Sequence, residues 1–138
     1  MAPEVIAHME SGTLSELPDF ITSGPVFLDE ISDSTPLTPG TLYVVNAVAD
    51  FGSDATVANN AVVAGREIKI GSNASVENVV FASPDKILPG SANDFGSLGV
   101  CGGACNVYLF SESNIEVGSN NGLRGVQLGA GEELALVR

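Results

Sequence analysis

The chain has 138 residues, and its 17 acidic side chains against 5 basic ones give a formal net charge of −12. That length fits one domain, and 44% apolar residues suffice for a core. The basic residues Arg66, Lys69, Lys86, Arg124 and Arg138 are scattered. The clustered cations that displace counterions from nucleic-acid phosphates are therefore missing, and an anionic membrane surface would repel the chain.

Val, Ile, Leu, Ala and Phe dominate the apolar residues, Trp is absent, and sixteen Gly and seven Pro break the chain often. This mixture suits short strands joined by tight turns and suits long helices poorly. No apolar run reaches transmembrane length; the longest, around Leu42 to Val48, is interrupted by Asn46. Met1 to Glu10 carries Glu4, His8 and Glu10 without a basic start region, unlike a signal peptide. The chain is therefore expected to be cytosolic, or a mature or shortened piece of a longer precursor.

Residues 1–24 read as a leader or capping segment, and residues 25–138 as a single β domain. Within the leader, Thr13-Leu14-Ser15-Glu16-Leu17 can form a helical turn that Pro18 stops. Val26-Phe27-Leu28 is a first strand candidate, followed by an acidic loop, Asp29-Glu30-Ile31-Ser32-Asp33. Leu42 to Val48 is a clear strand candidate.

A repeat follows. Phe51-Gly52-Ser53-Asp54-Ala55 is echoed by Ile70-Gly71-Ser72-Asn73-Ala74 and by Val117-Gly118-Ser119-Asn120-Asn121. Each copy continues to an apolar residue, Val57, Val76 or Leu123. Each then enters a second apolar stretch, beginning at Ala61, Val79 and Val126, with one extra residue in the first copy. Phe95-Gly96-Ser97 reads as a degenerate fourth copy. The glycines at 52, 71, 96 and 118 are separated by 19, 25 and 22 residues. A period near twenty with short strands predicts an all-β fold, a small parallel, right-handed β-solenoid with Gly-Ser-Asn corners. One coil cannot bury its inner face alone, so Val57, Val76 and Leu123 are expected to stack inward on successive coils. Gly and Asn at the corners are expected to take left-handed conformations, and Asn to form ladders between coils. Gly-Ser-Asn is also a common turn, so an antiparallel β-sandwich is the alternative. Glu132-Glu133-Leu134-Ala135-Leu136-Val137 is expected to form the final strand.

No catalytic set or cofactor motif emerges. His8 is the only histidine and lies in the leader, Gly-x-Ser-x-Gly is absent, and the glycines around Gly96 to Gly102 lack a strand-to-helix context. The chain is read as a non-enzyme. The tightest acidic cluster, Asp29, Glu30 and Asp33, reads first as a solvated loop and second as a hard-cation site. Asp50 and Asp54, flanking the first Gly-Ser corner, have the same two readings, and Glu132-Glu133 reads as surface charge. Asn73-Ala74-Ser75 fits a glycosylation acceptor but reads better as a turn. Cys101 and Cys105, in Cys-Gly-Gly-Ala-Cys, are too few for a zinc site. A local disulfide stapling the Gly-rich loop is the first reading; two free thiols and a redox-active pair are the alternatives.

Two stretches carry a family resemblance: Gly71 to Ala82, and Ser113 to Gly131, with Cys101 between them. Together they make residues 41–131 resemble the soluble C-terminal region of bacterial TadE/TadG-like proteins of tight-adherence (Flp-type) pilus assembly. These proteins carry an N-terminal hydrophobic anchor, and this chain is expected to correspond to their soluble C-terminal domain alone or to a relative that lost its anchor. The resemblance implies an extracytoplasmic location, in the periplasm or at the cell surface, which favours the disulfide. It also implies a non-catalytic structural or assembly part in a pilus or envelope machine. Protein partners are then expected, including self-association through strand edges. The alternative function is a surface glycan-binding or other ligand-binding module.

Overall fold

A computed structural model describes residues 19–95, 107–123, 126–130 and 133–136. Among them it has thirteen strands and no helix: β1 (Ser23–Leu28), β2 (Thr41–Val45), β3 (Val48–Asp50), β4 (Thr56–Ala64), β5 (Glu67–Ile70), β6 (Ser75–Ser83), β7 (Lys86–Pro89), β8 (Asp94–Phe95), β9 (Val107–Ser111), β10 (Asn114–Val117), β11 (Gly122–Leu123), β12 (Val126–Ala130) and β13 (Glu133–Leu136). The long sheet runs β1-β2-β4-β6 and continues through β8 and β11 on one side and through β9 and β12 on the other. The short sheet runs β3-β5-β7-β10-β13. Every pairing between these strands is parallel. Parallel neighbours need a crossover, and here each crossover passes through the opposite sheet. The chain is thus a parallel β-solenoid, not an antiparallel sandwich.

Like stacks on like. In the long sheet Val57 pairs with Val76, Val76 with Phe95, and Phe95 with Leu123. Val57 and Val76 are buried in one core with Phe95. A second inward column is Tyr43, Val62, Phe81 and Leu109. From the short sheet come Ala49, Ile68, Ile87 and Ile115, each with no exposed surface. Burying each Val or Ile in such a column contributes about 1.5–3 kcal/mol.

The repeat is more regular than expected. The fourth corner is Gly90-Ser91-Ala92-Asn93, not Phe95-Gly96-Ser97. The amide of Gly71 donates to Gly52 O, that of Gly90 to Ile70 O and that of Gly118 to Pro89 O. Phe95 instead takes the core position of Val57 and Val76. The first copy needs no extra residue either, because Asn60, not Ala61, pairs with Val79. The longer fourth coil has a local cause. Val76 and Val79 are three residues apart, whereas their partners Phe95 and Val107 are twelve apart. An insertion there carries Cys101 and Cys105, so the disulfide reading lies outside the described residues. The candidate strand Leu42 to Val48 is two strands, β2 and β3, with a corner at Asn46-Ala47 where the amide of Asn46 donates to Leu28 O.

Corner chemistry explains the Gly-Ser-Asn signature. Asp54, Asn73, Ala92 and Asn120 all have φ between 58° and 63°, the left-handed region that Asp and Asn tolerate. Of the four stacked glycines only Gly52 has positive φ. The others are required by close approach: a Cβ on Gly90 would lie 2.5 Å from Gly71 O, and one on Gly118 2.5 Å from Gly90 O. Asn93 and Asn121 form the expected ladder. Asn93 Nδ2 donates to Gly71 O and its Oδ1 accepts from the Ala74 amide, while Asn121 Nδ2 donates to Gly90 O. A second ladder joins Asn78 Nδ2 to Asn59 Oδ1 at 3.1 Å, where β4 and β6 bend at positive φ. At the opposite corner Ser111 Oγ donates to Asp85 O and Ser83 Oγ to Arg66 O.

The two sheets differ on their outer faces. The short sheet presents exposed Asp50, Lys69 and Glu116. The long sheet presents Leu42, Ala61, Val63, Val80 and Ala82, all buried and packed as a second cluster with Ile21 and, partly buried, Phe20, Val44, Tyr108 and Phe110.

Candidate functional site

The acidic residues singled out in the sequence gather around the segment that joins β1 to β2. Ile31 bridges to Ala49 and is 2% exposed, anchoring this segment against the first coil. Beyond it the chain turns on itself: the Ser32 amide donates to Thr35 Oγ1, and the Thr35 amide to Ser32 O. Leu37 then packs against the core, and the Thr38 amide donates to Tyr43 Oη at 2.6 Å. Proline and small polar residues make such a loop easy to form, while one apolar residue at each end holds it down.

This loop forms one wall of two recesses of about 400 Å³ each. Asp33 and Asp54 line the first, with Leu37, Phe51 and Asn60. Glu30, Asp33 and Asp50 line the second. Asp29 falls on a different, smaller hollow of about 280 Å³, with Phe27 and Val44. The structure thus brings Glu30, Asp33, Asp50 and Asp54 to one end of the solenoid and separates Asp29 from them. Asp33, Asp50 and Asp54 are all exposed, and Asp50 Oδ1 accepts the Gly52 amide at 3.0 Å, a turn-stabilising contact. Among the described residues no three acidic, His or Cys side chains stand close enough to hold a metal ion. The recesses are therefore acidic, open and wetted. Asn73 is an exposed corner residue with left-handed backbone, so Asn73-Ala74-Ser75 does form a turn. His8 lies outside the described residues, as does Glu132.

Two polar residues in the interior were not anticipated. Asn60 is 2% exposed and lines the first recess, in the column that continues as Val79 and Val107. Its Nδ2 donates to Ala58 O, but its Oδ1 is buried without a partner. An unpaired buried carbonyl costs about 1–3 kcal/mol. Asn60→Val, which copies the next coil, is therefore expected to raise stability by about 1 kcal/mol in urea melts monitored by circular dichroism. A destabilised variant would mean that the amide is satisfied by a group the recess admits. Glu77 is fully buried beside the Asn78 ladder. It sits where the next coil carries its insertion, between the partners of Val76 and Val79. The signal for Asn60 was present in the repeat, as a polar residue at an apolar place. It was hidden by aligning Ala61 with Val79.

The other distinctive feature is β1. Its only strand partner among the described residues is β2, and Val26 and Phe27 are 40% and 68% exposed. No family model matches the chain, and neither the curated proteins nor the solved structures include a significant match. No described helix is long and apolar enough to cross a membrane.

Proposed function

We propose that the chain is a non-catalytic structural or assembly module of a bacterial pilus or cell-envelope machine, acting outside the cytoplasm through a strand edge. The observation that carries this reading is β1. A strand that ends the described sheet and exposes two large apolar side chains is a template for another strand. The opposite end of the solenoid finishes in β12 and β13, whose outer edges are likewise without a described neighbour. A second copy stacked there would continue the parallel ladder. Such a head-to-tail contact does not close on itself and builds filaments. The resemblance to the TadE/TadG-like proteins supports the same reading.

Sedimentation over a range of concentrations tests it. The native chain is expected to associate reversibly, and Phe27→Lys to weaken association tenfold or more without changing the β circular dichroism signal. Leu136→Pro, at the other end, should act in the same direction, because proline removes a ladder donor. A chain that stays monomeric at high concentration, with Phe27→Lys indistinguishable from it, ends the self-stacking form of the proposal.

A second reading, glycan binding, is favoured by one observation. Tyr108 and Phe110 stack with ring centroids 6.1 Å apart on the outer face of the long sheet, a platform of the kind that sugar rings use. Tyr108→Ala would abolish binding on a glycan array under that reading and would leave assembly untouched.

A further inference from the structure

The first recess lies beside the half of β4 that β2 does not reach. β2 pairs with Ala61 to Ala64, and opposite Thr56 to Asn60 the described neighbour is the loop from Ser32 to Pro39. At this level the repeat changes its chemistry. Asn60 holds the place of Val79 and Val107 in later coils, and Asp54 holds the corner place of Asn73, Ala92 and Asn120. Asp33 joins them from the loop. It packs over the first corner so closely that a Cβ on Gly52 would lie 2.9 Å from Asp33 Cβ. We infer that this recess is a binding site for a guanidinium group, held between the carboxylates of Asp33 and Asp54 and the side-chain oxygen of Asn60.

All three of these groups are acceptors, and no Lys or Arg lines the recess. A matching ligand therefore brings donors and positive charge. The acceptor that selects among cations is Asn60 Oδ1. The residue is 2% exposed, its Nδ2 is committed to Ala58 O, and its Oδ1 has no partner within the protein. A metal ion fits poorly, since among the described residues no three acidic, His or Cys side chains stand close enough to share one. A primary ammonium is a compact, strongly hydrated charge, and one neutral amide oxygen does not replace its water. A guanidinium is planar and more weakly hydrated, with five N–H donors in a fork. It can face a carboxylate with two N–H groups and still offer another to Asn60. Leu37 and Phe51 line the same recess and suit its flat face. The strand edges on which assembly rests take no part, so the two readings fail separately.

The probe is ethylguanidinium at millimolar concentration, titrated into the full nitrogen-15-labelled chain at about 0.15 M salt, where long-range attraction is screened. The side-chain amide resonance of Asn60 should move saturably, together with the backbone amides of Asp33 and Asp54. Asn60→Val should weaken binding about tenfold, the weight of a hydrogen bond to a charged group. Asp33→Asn/Asp54→Asn should weaken it at least as much, and its second change copies the corner of the next coil, so it decides the matter if Asn60→Val does not fold. Asp50→Asn, on the second recess, should leave binding unchanged. Ethylammonium, of equal charge, should bind several-fold more weakly. Equal binding of the two cations, or binding unmoved by the Asn60 and Asp33/Asp54 variants, would mean attraction by an acidic surface only and would overturn the inference. So would an Asn60 resonance that ignores ethylguanidinium, the result expected if water alone serves the oxygen. A capped tripeptide with one central arginine separates the sources. Binding as tight as ethylguanidinium or tighter assigns the site to an arginine side chain of a protein partner, and binding of the free compound alone assigns it to a small guanidino ligand.

Discussion

Val76→Asp is expected to unfold the protein or to leave it stable only when the new carboxyl is protonated. Val76 has no exposed surface, and it sits between Val57 and Phe95 in one inward column. A carboxylate placed there loses its water and gains no cation, because the neighbouring coils offer apolar side chains at the same level. The cost of an uncompensated buried charge is several kcal/mol at least, against a total stability of about 5–15 kcal/mol for a typical domain. Asn73→Asp is the matched control, three residues away on an exposed corner. Asp54 already occupies the equivalent position at nearly the same φ, so this change should stay within about 0.5 kcal/mol. Urea titration of both variants by circular dichroism is the measurement. Equal midpoints for the two would contradict the inward stacking of the column.

Phe81→Ala should cost about 3–5 kcal/mol. Phe81 is among the largest side chains with no exposed surface, and its ring lies 5.3 Å from that of Phe51 on the opposite side of the coil. Its neighbours in the column, Val62 and Leu109, are held by the ladder on either side. They cannot move along the solenoid axis to fill the space. Phe81→Leu, which repeats the residue of the next coil, should cost much less, about 1.5 kcal/mol or below beyond the lost ring contact. Denaturant midpoints should separate the two variants while the slopes stay the same. A Phe81→Ala loss below 1 kcal/mol would mean that the two sheets do not meet across a packed interior at this level.

Much of the solenoid was legible because its corners are chemically demanding. Left-handed backbone at Asp54, Asn73 and Asn120 selects Asp or Asn, and close approach at Gly71 and Gly118 excludes a side chain. These needs print a short signature at each coil. The signature misled where local chemistry is ambiguous. Gly96 stands next to a serine like the corner glycines, but Gly90 is the residue that meets Gly71. Ala92 replaces the expected Asn at φ 58°, which disguised the true fourth copy. The expectation of left-handed glycines was likewise only partly met, since three of the four are there for space. The candidate site was legible in composition but not in grouping. Nothing in the spacing of Asp33 and Asp54 said that they share a recess while Asp29 stands apart.

The sequence by itself determined the strand-rich class and the corners at Asp54, Asn73 and Asn120, because each follows from the conformational limits of a residue and its nearest neighbours. Tertiary structure alone decided the register between coils, since that depends on contacts between residues about nineteen positions apart. An insertion between Phe95 and Val107 changes the count without changing any local pattern. Tertiary structure also decided that Asn60 carries an unpaired oxygen among valines, that β1 ends one edge with Phe27 exposed, and that the long sheet's outer face is shielded. Burial and pairing of this kind belong to a surface assembled from several coils, and no single coil encodes which of its apolar residues will face water.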